Sequence, residues 1–246
     1  MNLEGKRIIV TGGATGIGRA TALMASSNGA KIALFDVNDE DGAATVSDIN
    51  ENGGDARYWR VDVVDSIAVS GGVSAAEVWM GGIDVLIHMA GIFQGTLVEI
   101  DEFPEDMWDK VIEVNLRGSF LMAKSVSAVM KREKNGVIIF AASGAGVLGA
   151  SSSFAYGASK GAVHGLTMTM EKHLVKYGIR VNDILPGAVE TPLKVNQTRE
   201  VYELSGDKRS YEKNLQALIA PEEIAKIVVF MASDDANMLR GSLTTA

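Results

Sequence analysis

Short, nearly continuous apolar runs alternate along this chain with longer segments whose apolar residues recur at helical spacing. The runs at 6–11, 31–35, 56–61, 83–87, 137–142 and 179–184 predict strands. Because they do not alternate apolar with polar residues, they predict a sheet covered on both faces. The longer segments predict helices over 17–28, 39–52, 66–80, 104–132, 154–177, 200–216 and 221–233. The last of these opens on Ala220-Pro221-Glu222-Glu223, with proline in the first turn and acids that suit the helix dipole. Arg240 to Ala246 lead into an expected seventh strand. Alternating strands and helices predict an α/β chain whose central parallel sheet of about seven strands is flanked by helices.

The first strand and helix are joined by Thr11-Gly12-Gly13-Ala14-Thr15-Gly16-Ile17-Gly18. Strand, glycine turn and helix in that order suit a dinucleotide. Gly12 permits the tight turn, Gly16 lets backbone approach a pyrophosphate, and Gly18 lets helix pack on strand, while the helix N-terminus offers free N–H groups to phosphate. Asp36 ends the second strand, 18 residues beyond Gly18. A carboxylate there accepts hydrogen bonds from an adenosine ribose and repels a 2′-phosphate, which favours NAD over NADP. The alternative for Asp36 is a turn residue leading into Asn38-Asp39.

Tyr156 and Lys160 stand four residues apart on a predicted helix, with Ser143 thirteen residues before Tyr156. A phenol, an ammonium one turn away and a hydroxyl on a preceding loop can move a proton on or off an alcohol oxygen. Alone, such a pair also describes a solvated helix face; beside the glycine loop it indicates redox chemistry at a carbonyl.

Composition narrows the classes. The 246 residues carry a net charge of −8, which argues against nucleic acid or an anionic membrane as partner. No apolar run approaches the ~20 residues of a membrane span. With no cysteine, disulfides, thiolate metal sites and cysteine nucleophiles are excluded. No composition break argues for two domains, so residues 1–246 are expected to form one. The start, Met1 to Lys6, leads at once into the first strand and does not read as a signal peptide; a cytoplasmic protein is expected. His88, His164 and His173 have no metal-site spacing, and no metal is expected.

The chain resembles the short-chain dehydrogenase/reductase family over nearly its whole length, through the glycine loop, Asp36, Asp62-Val63, Ala90-Gly91, Asn115, Ser143, Tyr156, Lys160, Pro186-Gly187 and Thr191. The resemblance implies a doubly wound Rossmann fold and an NAD(P)-dependent oxidoreductase interconverting a secondary alcohol and a ketone, as a homo-oligomer, tetramer or dimer. It implies that Gly12, Thr15, Gly16, Ile17 and Gly18 hold the cofactor, with Asp62 and Val63 at the adenine. Ala90, Gly91, Tyr156 and Lys160 would lie along the nicotinamide ribose, and Pro186, Gly187, Val189 and Thr191 around the carboxamide. Tyr156 would be the acid/base, Ser143 would position the substrate oxygen, and Asn115 would hold a local helix irregularity and a water relaying protons from Lys160. A free phenol has a pKa near ~10, and lowering it to about 7 requires roughly 4 kcal/mol of phenolate stabilisation, expected from Lys160 and the oxidised nicotinamide. Without the resemblance, Asp62 reads as a solvated turn acid and Asn115 as an ordinary helix asparagine.

The chain departs from the family at His88-Met89, where Asn-Asn is common, and it stops short of the family's usual acidic residue and two glycines. His88 reads as structural, with a ligand role as the alternative. The substrate pocket is expected from Phe93, Gln94, Ala145, Val147, Leu148, Phe154 and Leu193, mainly apolar, which suits an alcohol with a hydrocarbon body. Residues 189–217 read as a charged, mobile lid. Two other functions compete: an NADP-dependent 3-oxoacyl-carrier reductase, whose acidic carrier Lys194, Arg199, Lys208 and Arg209 would meet, and a non-catalytic NAD-binding sensor.

Overall fold

The structure is a computed structural model that describes residues 1–245. Its strands are β1 (Arg7–Thr11), β2 (Lys31–Asp36), β3 (Asp55–Arg60), β4 (Val85–His88), β5 (Gly136–Ala141), β6 (Ile179–Leu185) and β7 (Gly241–Thr244). All pair in parallel, in the order β3-β2-β1-β4-β5-β6-β7. The expected seventh strand is present; Ala246 lies outside the described residues. The winding reverses between β1 and β4, and the carboxyl ends of those strands bound the crevice where open α/β sheets bind ligands.

The helices are α1 (Gly16–Ser27), α2 (Asp39–Glu51), α3 (Ser66–Met80), α4 (Glu105–Ile112), α5 (Gly118–Glu133), α6 (Phe154–Leu174), α7 (Pro192–Ser205), α8 (Lys208–Gln216) and α9 (Pro221–Ala232). One apolar layer joins the sheet to α1 and α9 through Ala22, Ala25, Ile224 and Val228. The other joins it to α3, α5 and α6 through Val69, Val73, Met122, Val126 and Val163. Both sheet faces are therefore covered, as the continuous apolar strands require.

Two expected helices differ in form. The 104–132 segment is helical throughout but widens into a π turn at Glu113–Arg117, between α4 and α5. The buried Asn115 lies in this turn, and its side chain is engaged across the fold rather than along its own helix. The 200–216 segment is two helices, and the first begins earlier, at Pro192. Thr191 accepts a hydrogen bond from the Lys194 amide and starts α7 with proline in the first turn. Gly206, at φ 67°, ends it, and Asp207 caps α8 by accepting from the Ser210 amide.

Candidate active site

The carboxyl ends of β1, β4, β5 and β6 open into one cleft of about 750 Å3. Gly12, Thr15, Gly16, Ile17 and Gly18 form its floor. A Cβ on Gly12 would lie 2.7 Å from the Ala90 amide nitrogen, and one on Gly18 would collide with the Gly12 carbonyl oxygen. The glycines thus let β1, β4 and α1 approach one another. The first turn of α1 has no acidic residue and Thr15 makes no side-chain cap, so its amide N–H groups face the cleft uncompensated.

Asp36 and Asp62 line one end. The Asp36 carboxylate accepts from the Ala14 amide at 3.0 Å and from the Val37 and Asn38 amides at 2.8 and 3.0 Å, tying the glycine loop to the end of β2. Arg60, its neighbour across the β2–β3 ladder, pairs with Asp39 at 2.9 Å, and Arg19 pairs with Asp48 at 2.6 Å. Val63, Ala90, Gly91, Pro186, Gly187, Val189 and Thr191 line the middle.

Tyr156, Lys160 and Ser143 converge at the other end. Ser153 fixes the start of α6: its hydroxyl accepts from the Tyr156 amide and donates to the Gln94 carbonyl at 2.6 Å, which ties this helix to the loop after β4. Lys160 lies one turn along; its Nζ donates to the Ala141 carbonyl at 2.7 Å and sits 5.7 Å from the Tyr156 ring centroid. The Phe93 ring packs on Tyr156, centroids 4.6 Å apart. Asn115 stands behind this group, accepting from the Ile92 amide at 2.8 Å and donating to the Ile92 carbonyl and the Ser159 hydroxyl at 3.0 Å each. A side chain at Gly91 would meet both Asn115 Oδ1 and Lys160 Nζ, at 3.2 and 3.4 Å.

Burial sets the protonation of this group. Loss of water pushes the Tyr156 phenol above its ordinary pKa, with a smaller opposing effect from the Ser143 hydroxyl beside it. Burial lowers the Lys160 ammonium to about 8. Lys160 Nζ is directed at the Ala141 carbonyl, and burial is the larger influence on the Tyr156 phenol. His88 is buried, exchanges a 2.8 Å hydrogen bond with Thr11 Oγ1 and packs edge-on against Phe140. Burial lowers it to about 3, with a further push from the Lys160 charge. It is a neutral brace between β1 and β4.

Of the residues expected at the substrate, Phe93, Ala145 and Leu193 line the cleft. Four others do not. Gln94 contributes its carbonyl to Ser153, Val147 packs onto the core, Leu148 is exposed, and Phe154 packs edge-on against Phe103. The cleft wall also includes Ile92, Ser151, Ser152, Lys194 and Gln197. Lys194 and Gln197 share a face only because α7 starts at Pro192, and the signal for that start was Thr191-Pro192. Among the described residues no group of His, Asp or Glu side chains could hold a metal ion, and no helix is long and apolar enough to cross a membrane.

Fold and cleft together define a dinucleotide-dependent oxidoreductase. The profile of the short chain dehydrogenase family matches residues 6–201. Levodione reductase of Leifsonia aquatica is 33% identical over 96% of this chain and 90% of its own length. The 3-oxoacyl-[acyl-carrier-protein] reductase of Thermotoga maritima is 33% identical over 99% of this chain and 96% of its own. The crystal structure of an NAD+-bound xylitol dehydrogenase superposes with a TM-score of 0.94 at 32% identity, covering 100% of this chain and 99% of that one. The chain belongs to the short-chain dehydrogenase/reductase family, whose NAD(P)-dependent enzymes act on CH–OH groups.

Proposed function

We propose that this enzyme is an NAD-dependent dehydrogenase interconverting a secondary alcohol and its ketone, with Tyr156 as acid/base. The carrying observation is the convergence of Tyr156, Lys160 and Ser143 at one end of a cleft whose other end is built from the glycine loop and Asp36. The cleft suits the cofactor on its own terms: uncompensated amides at the start of α1 fit phosphates, and the glycines leave room for backbone contact.

When bound, NAD+ supplies the hydride acceptor for the alcohol carbon. The chain does the rest. Asp36 takes the adenosine ribose hydroxyls, and Asp62 and Val63 take the adenine; Arg60 and Arg19 are paired with Asp39 and Asp48, which favours a ribose without a 2′-phosphate beside Asp36. Pro186, Gly187, Val189 and Thr191 hold the carboxamide end. Ser143 orients the substrate oxygen, and Tyr156 removes its proton as the carbonyl forms. Since burial alone keeps the phenol protonated, it becomes a base only when positive charge joins it, from the bound oxidised cofactor together with Lys160. Asn115 holds the backbone around Ile92 and the start of the proton exit beside Lys160.

Residues 189–217, with α7 and α8, form the proposed cover. Two polar links support it: Gln197 to Ser152 at 3.2 Å and Thr96 to Glu200 at 2.6 Å. A homo-oligomer is supported by Phe120 on α5 and Met168 on α6, which stand 48% and 49% exposed.

The test is NADH formation at mildly alkaline pH across secondary, cyclic and polyhydroxy alcohols, with Tyr156→Phe beside the parent enzyme. Turnover that disappears in the variant is the expected result. Preference for NADPH and 3-oxoacyl thioesters would establish the carrier reductase instead, and tight NADH binding without turnover on any alcohol or ketone would establish the sensor.

A further inference from the structure

The charges lining the cleft are segregated. Asp36 and Asp62 occupy the end assigned to adenosine, while Lys160 and Lys194 are the charged residues of the rest of its wall. Lys160 is engaged with the Ala141 carbonyl. Lys194 is half-buried and has no carboxylate within salt-bridge distance among the described residues; its Nζ donates only to Gln197 Oε1, at 2.9 Å. Gln197 Nε2 donates in turn to Ser152 Oγ at 3.2 Å.

The remaining hydrogen-bonding capacity here is weighted towards donors. An ammonium has three donors and no acceptor, so Lys194 keeps two N–H groups free. Ser152 Oγ accepts from Gln197, and Ser151 Oγ accepts from the Ser153 amide at 3.1 Å, so each hydroxyl keeps its proton to donate. All three residues face the cleft. The loop that carries the serines is pinned, since the Ser152 carbonyl accepts from the Leu97 amide at 2.8 Å. A partly dehydrated cation ringed by donors calls for an acceptor that bears negative charge. A neutral polyol could bond to these donors but would leave the ammonium without a counter-charge.

Resting on the proposed alcohol dehydrogenase reading, we propose that the substrate is a hydroxy acid, whose carboxylate is bound by Lys194, Ser151 and Ser152 with Gln197 positioning the ammonium. Phe93, Ile92 and Leu193 cover the short hydrocarbon between the carboxylate and the reacting carbon. The carboxylate is a spectator: the alcohol carbon gives its hydride to NAD+, the hydroxyl gives its proton to Tyr156, and an oxo acid, NADH and a proton result. Burial also lowers the Lys194 pKa, as expected of a cation that lacks its counter-ion.

The experiment compares 2-, 3- and 4-hydroxycarboxylates of four to six carbons with their methyl esters, in the parent enzyme, Lys194→Met and Lys194→Arg. The parent is expected to favour one acid over its ester in kcat/KM by at least tenfold. Lys194→Met abolishes that ratio through KM and Lys194→Arg restores most of it. Calorimetric titration of the matching oxo acids into the enzyme–NAD+ complex supplies a reading independent of turnover. Binding lost in Lys194→Met supports the subsite even if no alcohol is oxidised. Esters preferred by the parent enzyme, or a Lys194→Met variant that weakens NADH binding as much as oxo-acid binding, would overturn it. In the latter case Lys194 serves the cofactor. Oxidation of neutral alcohols without any preference for acids would sink the subsite and leave the dehydrogenase standing.

Discussion

Lys160 lies one helical turn from Tyr156, yet its Nζ is bonded to the Ala141 carbonyl and stands 5.7 Å from the Tyr156 ring centroid. Burial acts on both groups in opposite directions: the phenol is raised, and the ammonium is lowered to about 8. Replacing the phenol while keeping its ring isolates the proton transfer. Tyr156→Phe is expected to lower kcat by about 10²–10⁴-fold, the usual range for a general acid/base, with the NADH dissociation constant changed little. Steady-state kinetics beside fluorescence titration of NADH measures both, and a kcat within tenfold of the parent would remove Tyr156 from the reaction.

Lys160 carries a stability cost that can be read without substrate. Its pKa falls from 10.5 to about 8 on folding, so between those values the unfolded chain holds a proton that the folded chain has shed. Stability attributable to this group therefore rises with pH from about 8 to 10.5, and below 8 the full cost of the buried charge is present. That cost is about 3 kcal/mol, offset by about 1 kcal/mol for the donor that the Ala141 carbonyl would lose. Cofactor-free Lys160→Met is thus expected to melt several degrees above the parent at pH 7, with the gap narrowing as pH rises past 8. An unchanged or lower melting temperature at pH 7 would mean that the ammonium is better solvated than its burial implies.

Much of this fold was legible because apolar runs and helical spacing report burial directly, and each strand fell within two residues of its predicted span. Asn115 was legible only through the family resemblance, since its part depends on Ile92 and Ser159, groups distant in sequence. Gly206-Asp207, which divides α7 from α8, was present in the sequence but lay inside a polar stretch read as one continuous helix. The substrate wall was least legible. Val147 and Phe154 are apolar and close to Ser143 and Tyr156 in sequence, but the loop between β5 and α6 turns them towards the core and Phe103, and brings Ser151 and Ser152 to the cleft instead.

In the proposed reading Asp36 meets the adenosine ribose and would repel a 2′-phosphate, and its partner across the β2–β3 ladder, Arg60, is paired with Asp39. Asp36→Ala removes the repulsion but also leaves the Ala14, Val37 and Asn38 amides without their acceptor. The NADP-to-NAD ratio of kcat/KM is expected to rise by about 10²-fold, or roughly 2.7 kcal/mol, through gain with NADP and loss with NAD together. Kinetics with each cofactor at fixed alcohol concentration decides this. A ratio that does not move would mean that discrimination lies elsewhere in the cleft.

His88 gives the acid limb of stability a specific owner. Its ring is buried between Thr11 and Phe140, and its pKa falls from 6.5 to about 3. Below pH 6.5 the unfolded chain binds a proton that the folded chain refuses, so stability contributed at neutral pH is lost as pH falls from 6.5 towards 3. The loss approaches about 5 kcal/mol at the lower end. His88→Asn keeps a side-chain hydrogen bond within reach of Thr11 and removes the titration. The variant is expected to show a flatter dependence of unfolding free energy on pH between 6 and 4, measured by urea denaturation, whatever its stability at pH 7. Parallel curves for the two proteins across that range would mean that His88 is protonated in the folded enzyme, and the brace between β1 and β4 would then have to be a charged one.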